Sequence, residues 1–171
     1  IVNDAYSQQV IDNYQNIESI HSIKVINMKK NRGHARCIAS GLKYIFEKKE
    51  FDYVIPMDGD GEDRPEEIKN LIQLAEQSDN KSIVAERVKR SETFFFKLCY
   101  QAHKIITSTF TGQSIKFGNF TCLSKITVEK MINEKATWNS FSGSLKKVEK
   151  DLLSIPSIRG TRYFGPSKMS F

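Results

Sequence analysis

Residues 53–67 read YVIPMDGDGEDRPEE, and this stretch decides the fold class that the sequence predicts. The apolar run at residues 53–57 is typical of a buried strand, and it leads directly into Asp58. Pro65 then opens a predicted helix, because proline is favoured in the first helical turn. A strand, a short acidic loop and a helix in this order indicate one repeat of an α/β fold.

The acidic loop after this strand predicts a site for a divalent cation. Asp58 and Asp60 are separated by one residue, so both carboxylates can reach a single ion. Mg²⁺ or Mn²⁺ prefers oxygen ligands and is held by one or two carboxylates, with water and phosphate completing the shell. For an isolated D-x-D, the simpler interpretation is an acidic loop ahead of a helix that Asp63 caps, but the preceding strand and the residues 65–67 that follow favour the metal.

Outward from this stretch, strand and helix patterns alternate along the chain. Helices are predicted at residues 7–20, 33–48, from 65 onward, 93–111 and 126–133, and strands at 1–2, 23–26, 53–57, 82–85 and 118–123. Beyond Trp138 the pattern loosens. The alternation predicts an α/β fold with a largely parallel sheet, in which ligands bind at the carboxyl ends of the strands. Polar residues that follow a predicted strand should therefore gather at one edge: Asp4, Asn31, Asp58 and Arg87.

Composition and charge limit the classes of partner. The chain has 171 residues, a net charge of +6 and a pI of about 9.2, so it fits one domain that suits an anionic partner. A nucleic-acid binder is disfavoured, because the basic residues are scattered and form no basic-aromatic platform. Its three cysteines have no zinc-like or disulfide-framework spacing, which favours a reducing compartment.

Several motifs occur in the order and at the spacing of a known family. Residues 57–66 resemble a D-A-D-L-Q-D-P-P-E segment, and residues 31–41 resemble an N-x-G-x-x-x-A-x-x-x-G helix start. Residues 2–7 resemble V-D-D-G-S, 85–90 resemble G-S-R-x-x-R, 118–120 resemble G-D-F, and 162–168 resemble R-x-x-G-x-S-K. Together they resemble family 2 glycosyltransferases, especially the branch of dolichyl- and polyprenyl-phosphate sugar synthases.

The resemblance implies a fold and a set of site residues. The fold would be a GT-A-like, Rossmann-like sheet flanked by helices and lacking its first strand. Residues 1–171 would form a single catalytic domain, and we expect them to be a fragment truncated at the N-terminus and at the C-terminus. Asp58 and Asp60 would bind the metal and act in catalysis with Arg87. The nucleotide sugar, linked to UDP or GDP, would contact Asp4, Asn31, Gly33, Asp58, Asp60 and Glu62, and the acceptor phosphate would contact Arg87, Arg162 and Lys168.

Three departures from the family pattern bear on the donor. The segment Asn3, Asp4, Ala5 lacks one carboxylate and the glycine of V-D-D-G-S, which leaves the nucleobase preference open. Asn119 replaces the aspartate of G-D-F. A P-x-Y-N-E segment, which lies under the nucleotide in the family, does not occur.

The kind of acceptor is predicted from the lack of a general-base pair in residues 138–150. Polysaccharide-type members carry an E-D pair that takes the proton from a sugar hydroxyl, and residues 138–150 hold no such pair. A phosphate acceptor is already anionic and needs no base, so a polyprenyl phosphate is the predicted acceptor, with inversion at the sugar carbon. The enzyme would then lie in the cytoplasm at the inner face of the membrane. The aromatic-rich stretch at residues 94–110 fits either a core helix or one lying against that surface.

Two alternatives stay open within the same fold. One is a family 2 enzyme with a hydroxyl acceptor, for which Glu149 or Asp151 would be the base. The other is an inactive glycosyltransferase-like binding module, suggested by the altered segment at Asn3.

Overall fold

The computed structural model describes residues 1–4, 20–87 and 115–163. They belong to two compact units, one comprising Ile1–Val54 and Lys125–Val148 and the other Ile55–Ser124 and Glu149–Phe171. The elements in chain order are β1 (Val2–Asn3), β2 (Ile26–Asn27), α1 (His34–Lys48), β3 (Tyr53–Val54), a 3₁₀ turn (Pro65–Glu67), α2 (Ile68–Gln77), β4 (Ile83–Arg87), β5 (Phe117–Ser124), α3 (Lys125–Asn133), a 3₁₀ turn (Lys135–Trp138), α4 (Phe141–Val148) and β6 (Leu153–Ser157).

In the first unit, α1 packs against β1, which pairs in parallel with β2. The helix begins after Gly33, whose φ of 86° is easily adopted only by glycine. Its apolar positions recur at helical spacing and bury Cys37, Ala39 and Leu42. At Gly41 a Cβ would lie 3.0 Å from the side chain of Val2, so the glycine allows the helix and β1 to approach closely.

The helices α3 and α4 complete the core of the first unit. Met131 and Leu145 are fully buried there. Between them the Thr137 hydroxyl donates to the carbonyl oxygen of Met131 (2.6 Å) and lies 2.5 Å from the Ser144 hydroxyl. These buried polar groups are therefore satisfied, and they fix the 3₁₀ turn between the two helices.

In the second unit, β4 lies between β5 and β6. Its pairing with β6 is parallel and its pairing with β5 is antiparallel, with an irregular register between Val84 and Glu86. Helix α2 packs on β4 and β5 and buries Leu71 and Ala75 completely. After β6, the chain turns back toward the loop that precedes α2.

Most predicted elements are confirmed within the described residues, but some strand bounds differ from the prediction. The strand predicted at 23–26 is shifted and observed at Ile26–Asn27, and the one predicted at 53–57 shortens to Tyr53–Val54. The sheet predicted to be largely parallel contains the antiparallel pair of β4 and β5. The loosened pattern beyond Trp138 hid α4 and β6. The predicted helices at 93–111 and, except for Ile20, at 7–20 lie outside the described residues.

The fold is of the mixed α/β class that the sequence predicted. Within the described part of the chain, no helix has the length and apolar character that crossing a bilayer requires.

Candidate functional site

The acidic loop, residues 58–63, carries the carboxylates predicted to bind a cation, and its own side chains set its shape. The backbone N–H of Asp58 donates to Oδ2 of Asp63 (2.9 Å), and the N–H of Glu62 donates to Oδ1 of Asp60 (3.0 Å). Gly61 turns the chain with a φ of 90°. The loop is therefore held by local side-chain-to-backbone hydrogen bonds typical of aspartate turns.

A second segment, residues 159–163, which we call the strap, lies along the acidic loop. The N–H of Gly160 donates to the carbonyl oxygen of Glu62 (2.8 Å), and the N–H of Tyr163 donates to the carbonyl oxygen of Asp60 (2.9 Å). Just before the strap, the N–H of Ile158 donates to Oε1 of Glu67 (3.2 Å). Backbone hydrogen bonds thus join two stretches of chain that are far apart in sequence.

Ion pairs reinforce the contact between strap and loop. The guanidinium of Arg162 lies 2.9 Å from Oδ2 of Asp60 and, through Nε, 3.3 Å from Oε1 of Glu62. Arg159 pairs with the other oxygen of Glu62. The Glu62 side chain is only 10% exposed, so its charge depends on these two arginines for compensation.

Close packing at two glycines fixes the strap on the loop. A Cβ on Gly61 would lie 2.8 Å from the ring of Tyr163, so this ring covers the glycine face. A Cβ on Gly160 would clash with the carbonyl oxygen of Gly61. Only glycine at both positions permits this approach, since the atom opposite Gly160 belongs to the backbone and cannot swing away.

Strands β4 and β5 contribute further groups to the acidic loop. Asn119 donates through Nδ2 to Oδ1 of Asp58 (3.3 Å), and the guanidinium of Arg87 lies against Gly118, where a Cβ would clash with it. Burial raises the pKa of Asp63, while the Asp58 N–H and the positive charge of Arg87 act in the opposite direction. The Asp63 carboxyl therefore serves as a buried support of the loop.

The first unit holds a separate polar cluster, which we call the Asp4 corner: Asp4, residues 31–33 and Cys37. The two oxygens of Asp4 accept the backbone N–H groups of Arg32 and Gly33, each at 2.9 Å. The Arg32 N–H, together with the Cys37 thiol and the Gly33 N–H, lowers the pKa of Asp4. Burial, and next the carboxylate of Asp4, raises the pKa of Cys37 to about 11.

Comparison with known proteins identifies the family. The sequence profile described as "Glycosyl transferase family 2" matches residues 1–141. The chain belongs to glycosyl transferase family 2. Its mixed α/β fold is consistent with the GT-A-like fold of that family, and the family resemblance seen in the motifs is confirmed.

Two relatives are both named undecaprenyl-phosphate 4-deoxy-4-formamido-L-arabinose transferase. The one from Proteus mirabilis (strain HI4320) is 26% identical over 176 residues, covering 96% of this chain and 49% of the relative. The one from Erwinia tasmaniensis (strain DSM 17950 / CFBP 7177 / CIP 109463 / NCPPB 4357 / Et1/99) is 26% identical over 161 residues, covering 88% of this chain and 45% of the relative. The family 2 chain therefore spans about half the length of the curated relatives it matches.

The residues that the family motifs suggested fall into two groups. The first unit contains Asp4, Asn31 and Gly33; the second contains Asp58, Asp60, Glu62, Arg87 and Arg162; Lys168 lies outside the described residues. Gathering of both groups at one sheet edge stays a prediction. Within the second unit, Arg162 joins Asp60 and Glu62 directly, a contact that the motifs did not predict.

The sequence interpretation missed two residues that shape the acidic loop. Arg159 pairs with Glu62, and Tyr163 covers Gly61. A signal for the first was present: two arginines three positions apart flank a glycine, R-G-T-R at residues 159–162. Such spacing near a family motif could have been interpreted as a clamp on carboxylates, since arginine prefers planar oxyanion partners.

The donor set of the acidic loop fits a divalent cation that is only partly held by protein. Asp58 and Asp60 supply hard carboxylate oxygens, and Asp60 already faces a positive group, the Arg162 guanidinium. Among the described residues there is no group of three or more His, Cys, Asp or Glu side chains that could form a complete metal site. Such a pair suits Mg²⁺ or Mn²⁺, which keep water and phosphate as further ligands.

Proposed function

We propose that this chain is the donor-binding part of an enzyme that transfers a sugar from a nucleotide-diphosphate sugar to a polyprenyl phosphate. The reaction depends on Mg²⁺ or Mn²⁺ and inverts the sugar carbon. The observation that carries the proposal is the acidic loop, with Asp58 and Asp60 one residue apart in a family 2 chain. Both relatives are named as transferases that use undecaprenyl phosphate, which supports the acceptor class.

Asp58 and Asp60 would hold the cation in this proposal. When bound, the ion supplies positive charge that stabilises the departing nucleoside diphosphate. Asn119 supports Asp58 by donating to Oδ1, and the N–H of Glu62 holds Oδ1 of Asp60. These contacts orient both carboxylates before any ligand arrives, which lowers the entropy lost on binding.

The chemical step needs no general base. An oxygen of the acceptor phosphate forms the new bond to the anomeric carbon as the bond from that carbon to the diphosphate oxygen breaks, and the electron pair leaves with the diphosphate. Attack from the opposite face inverts the configuration. The acceptor phosphate is held by Arg87, Arg162 and Lys168, because guanidinium groups fork onto phosphate and ammonium groups add point charge.

The donor side of the proposal includes the Asp4 corner. Asp4, Asn31 and Gly33 would contact the nucleoside of the donor, and groups around them would set the preference for UDP or GDP. A polyprenyl phosphate resides in a bilayer, so the reaction takes place at the cytoplasmic face of a membrane. Residues 1–171 form the catalytic domain in this proposal.

The test is a binding and transfer assay on the full-length protein. UDP- and GDP-linked sugars are screened by calorimetry with and without Mn²⁺, and transfer is measured to undecaprenyl phosphate in vesicles. Asp60→Asn removes a proposed cation ligand, and Glu66→Gln, a change at a side chain that is 72% exposed, is the matched control. We expect Asp60→Asn to lose the Mn²⁺-dependent part of donor binding and all transfer, while Glu66→Gln keeps both.

Three outcomes would contradict parts of the proposal. Donor binding by Asp60→Asn that equals the parent with Mn²⁺ would show that the acidic loop is not the cation site. Transfer to a sugar hydroxyl in place of the lipid phosphate would favour the hydroxyl-acceptor enzyme. Donor binding without any transfer would favour an inactive binding module.

A further inference from the structure

Arg162 and the proposed cation compete for the same carboxylate of the acidic loop, that of Asp60. Oδ2 of Asp60 lies 2.9 Å from the Arg162 guanidinium, and Oδ1 of the same carboxylate accepts the N–H of Glu62. Both oxygens of Asp60 are thus engaged in this structure. A cation that binds Oδ2 of Asp60 would lie beside the positive Arg162 guanidinium, and one that binds Oδ1 would crowd the N–H of Glu62 that holds the turn.

We propose that the cation and the Arg162 guanidinium exclude each other at Asp60, so that cation binding releases Arg162 to hold a phosphate. This inference rests on the proposed function, because it takes Asp60 as a cation ligand. Two positive groups on one carboxylate oxygen repel each other, and a divalent ion attracts the carboxylate more strongly than a guanidinium does. Arg162 is the group that leaves, since its side chain is 30% exposed and can reach solvent.

The strap itself stays in place during the exchange. Its two backbone hydrogen bonds, Gly160 to Glu62 and Tyr163 to Asp60, end on carbonyl oxygens and leave the carboxylates out. Arg159 still pairs with Glu62, so that nearly buried carboxylate keeps a partner when Arg162 leaves. Only one side chain has to move, and its backbone remains anchored beside the loop.

In the proposed exchange, Arg162 binds two kinds of partner one after the other. Without a cation, its guanidinium pairs with Asp60 and Glu62. With a cation and diphosphate bound, the guanidinium is available for a phosphate of the lipid acceptor. The acceptor site would therefore be completed only after the donor has bound. Arg162 would in this way couple acceptor binding to donor binding.

The test measures Mn²⁺ binding to the full-length protein from the electron paramagnetic resonance signal of free Mn²⁺, without nucleotide. Arg162→Gln removes the competing charge and should bind Mn²⁺ about fivefold more tightly, the factor expected for a partly exposed ion pair. Arg64→Gln is the matched control, because Arg64 pairs with Glu66 and Glu67. It should bind Mn²⁺ within twofold of the parent, a margin typical of an exposed charge.

A second variant keeps the test valid if Arg162→Gln folds poorly. Arg162→Lys retains the charge but cannot fork onto Asp60 and Glu62 together, so Mn²⁺ should bind more tightly than in the parent and less tightly than in the glutamine variant. As a second measurement, vesicles with undecaprenyl phosphate should bind the parent more tightly when Mn²⁺ and UDP or GDP are present. That gain should be lost in Arg162→Gln.

The outcomes separate this inference from the function on which it rests. Loss of Mn²⁺ binding in Asp60→Asn, with binding in Arg162→Gln equal to or weaker than in the parent, would overturn the exchange and leave the cation site intact. Equal tightening in Arg64→Gln would also overturn it, because net charge alone would then explain the effect. Unchanged Mn²⁺ binding in Asp60→Asn would overturn both the exchange and the proposed cation site.

Discussion

The acidic loop and the Asp4 corner both contain carboxylates that the family motifs predict to bind the donor, but the surrounding groups hold these carboxylates in different ways. Both oxygens of Asp4 accept hydrogen bonds from backbone N–H groups, those of Arg32 and Gly33. In Asp60, one oxygen accepts a backbone N–H and the other pairs with the side chain of Arg162. A backbone donor cannot leave without unfolding the turn, whereas a side chain can rotate away. The backbone contacts of Asp4 are therefore expected to persist when a ligand binds, whereas the contact of Asp60 with Arg162 is the one we propose to exchange.

The largest expected difference between the acidic loop and the Asp4 corner is in cation binding. Asp58→Asn should weaken Mn²⁺ binding by on the order of 100-fold, because it removes a charged ligand, while the amide of Asn119 can still support the side chain. Asp4→Asn should leave Mn²⁺ binding within a few-fold of the parent. Calorimetric titration of both variants with Mn²⁺ checks this. A similar large loss in both would mean that the Asp4 corner also binds the ion.

The next effect tests whether the strap backbone is fixed. Gly160→Ala places a methyl group against the carbonyl oxygen of Gly61 and should lower the free energy of unfolding by about 2 kcal/mol. Gly59→Ala, in the same loop but with no atom within 4 Å of the added Cβ, should change it by less than about 0.5 kcal/mol. Urea denaturation measures both. Equal effects would show that the strap yields easily at this contact.

A smaller effect is expected from Asp4 on stability, and it depends on pH. Asp4→Asn should lower the free energy of unfolding by about 1 kcal/mol at pH 7, since a neutral amide oxygen is a weaker acceptor than a carboxylate. The folded pKa of Asp4 lies below its ordinary value of 3.8. Its contribution is therefore complete above that value and is lost as the pH falls through the lower folded pKa.

The pH dependence provides the control for the Asp4 substitution. The parent should lose more stability than Asp4→Asn between about pH 5 and pH 3, so the two unfolding curves should converge in acid. Thermal denaturation over this range makes the comparison. Parallel curves would indicate that the carboxylate charge contributes nothing at this corner and that only its shape matters.

The smallest effect concerns the thiol at the Asp4 corner. Cys37 has a pKa of about 11, raised first by burial and then by Asp4, so it should react slowly with iodoacetamide near neutral pH. In Asp4→Asn it should react a few-fold faster. Cys122, also with a pKa of about 11 and raised mainly by burial, should react at the same rate in both proteins. Peptide mass spectrometry follows each thiol; faster reaction at Cys122 as well would point to general loosening.

Elements with a strong local pattern were predictable from the sequence, and α4 shows why others were not. Helix α1 repeats apolar residues through four turns, so its period is clear. Helix α4 is short and buries only Phe141, Leu145 and the hydroxyl residue Ser144, which a hydrophobicity pattern counts as polar. Its stability depends on tertiary contacts, including the Thr137 to Ser144 pair, and these have no local signature.

The same distinction applies to the candidate site. The spacing of Asp58 and Asp60 is local and was sufficient to predict the acidic loop. The arginine partners of Asp60 and Glu62 come from the strap, with Arg162 one hundred residues beyond Glu62. A basic residue considered alone most often lies at a solvated surface. Pairing over such a distance follows from the return of the chain after β6, which the weak pattern beyond Trp138 did not predict.

The separation between acidic loop and strap also has a consequence for synthesis of the chain. Ribosomes add roughly 5–20 residues per second, so Arg162 emerges about 5–20 s after Glu62. During that interval the loop can fold locally, since its turns need only its own residues, but Glu62 has neither of its arginine partners. A cation bound at the proposed site would meet no competition from Arg162 during this interval. The order expected in the nascent chain is therefore the proposed cation first and the contact with the strap second.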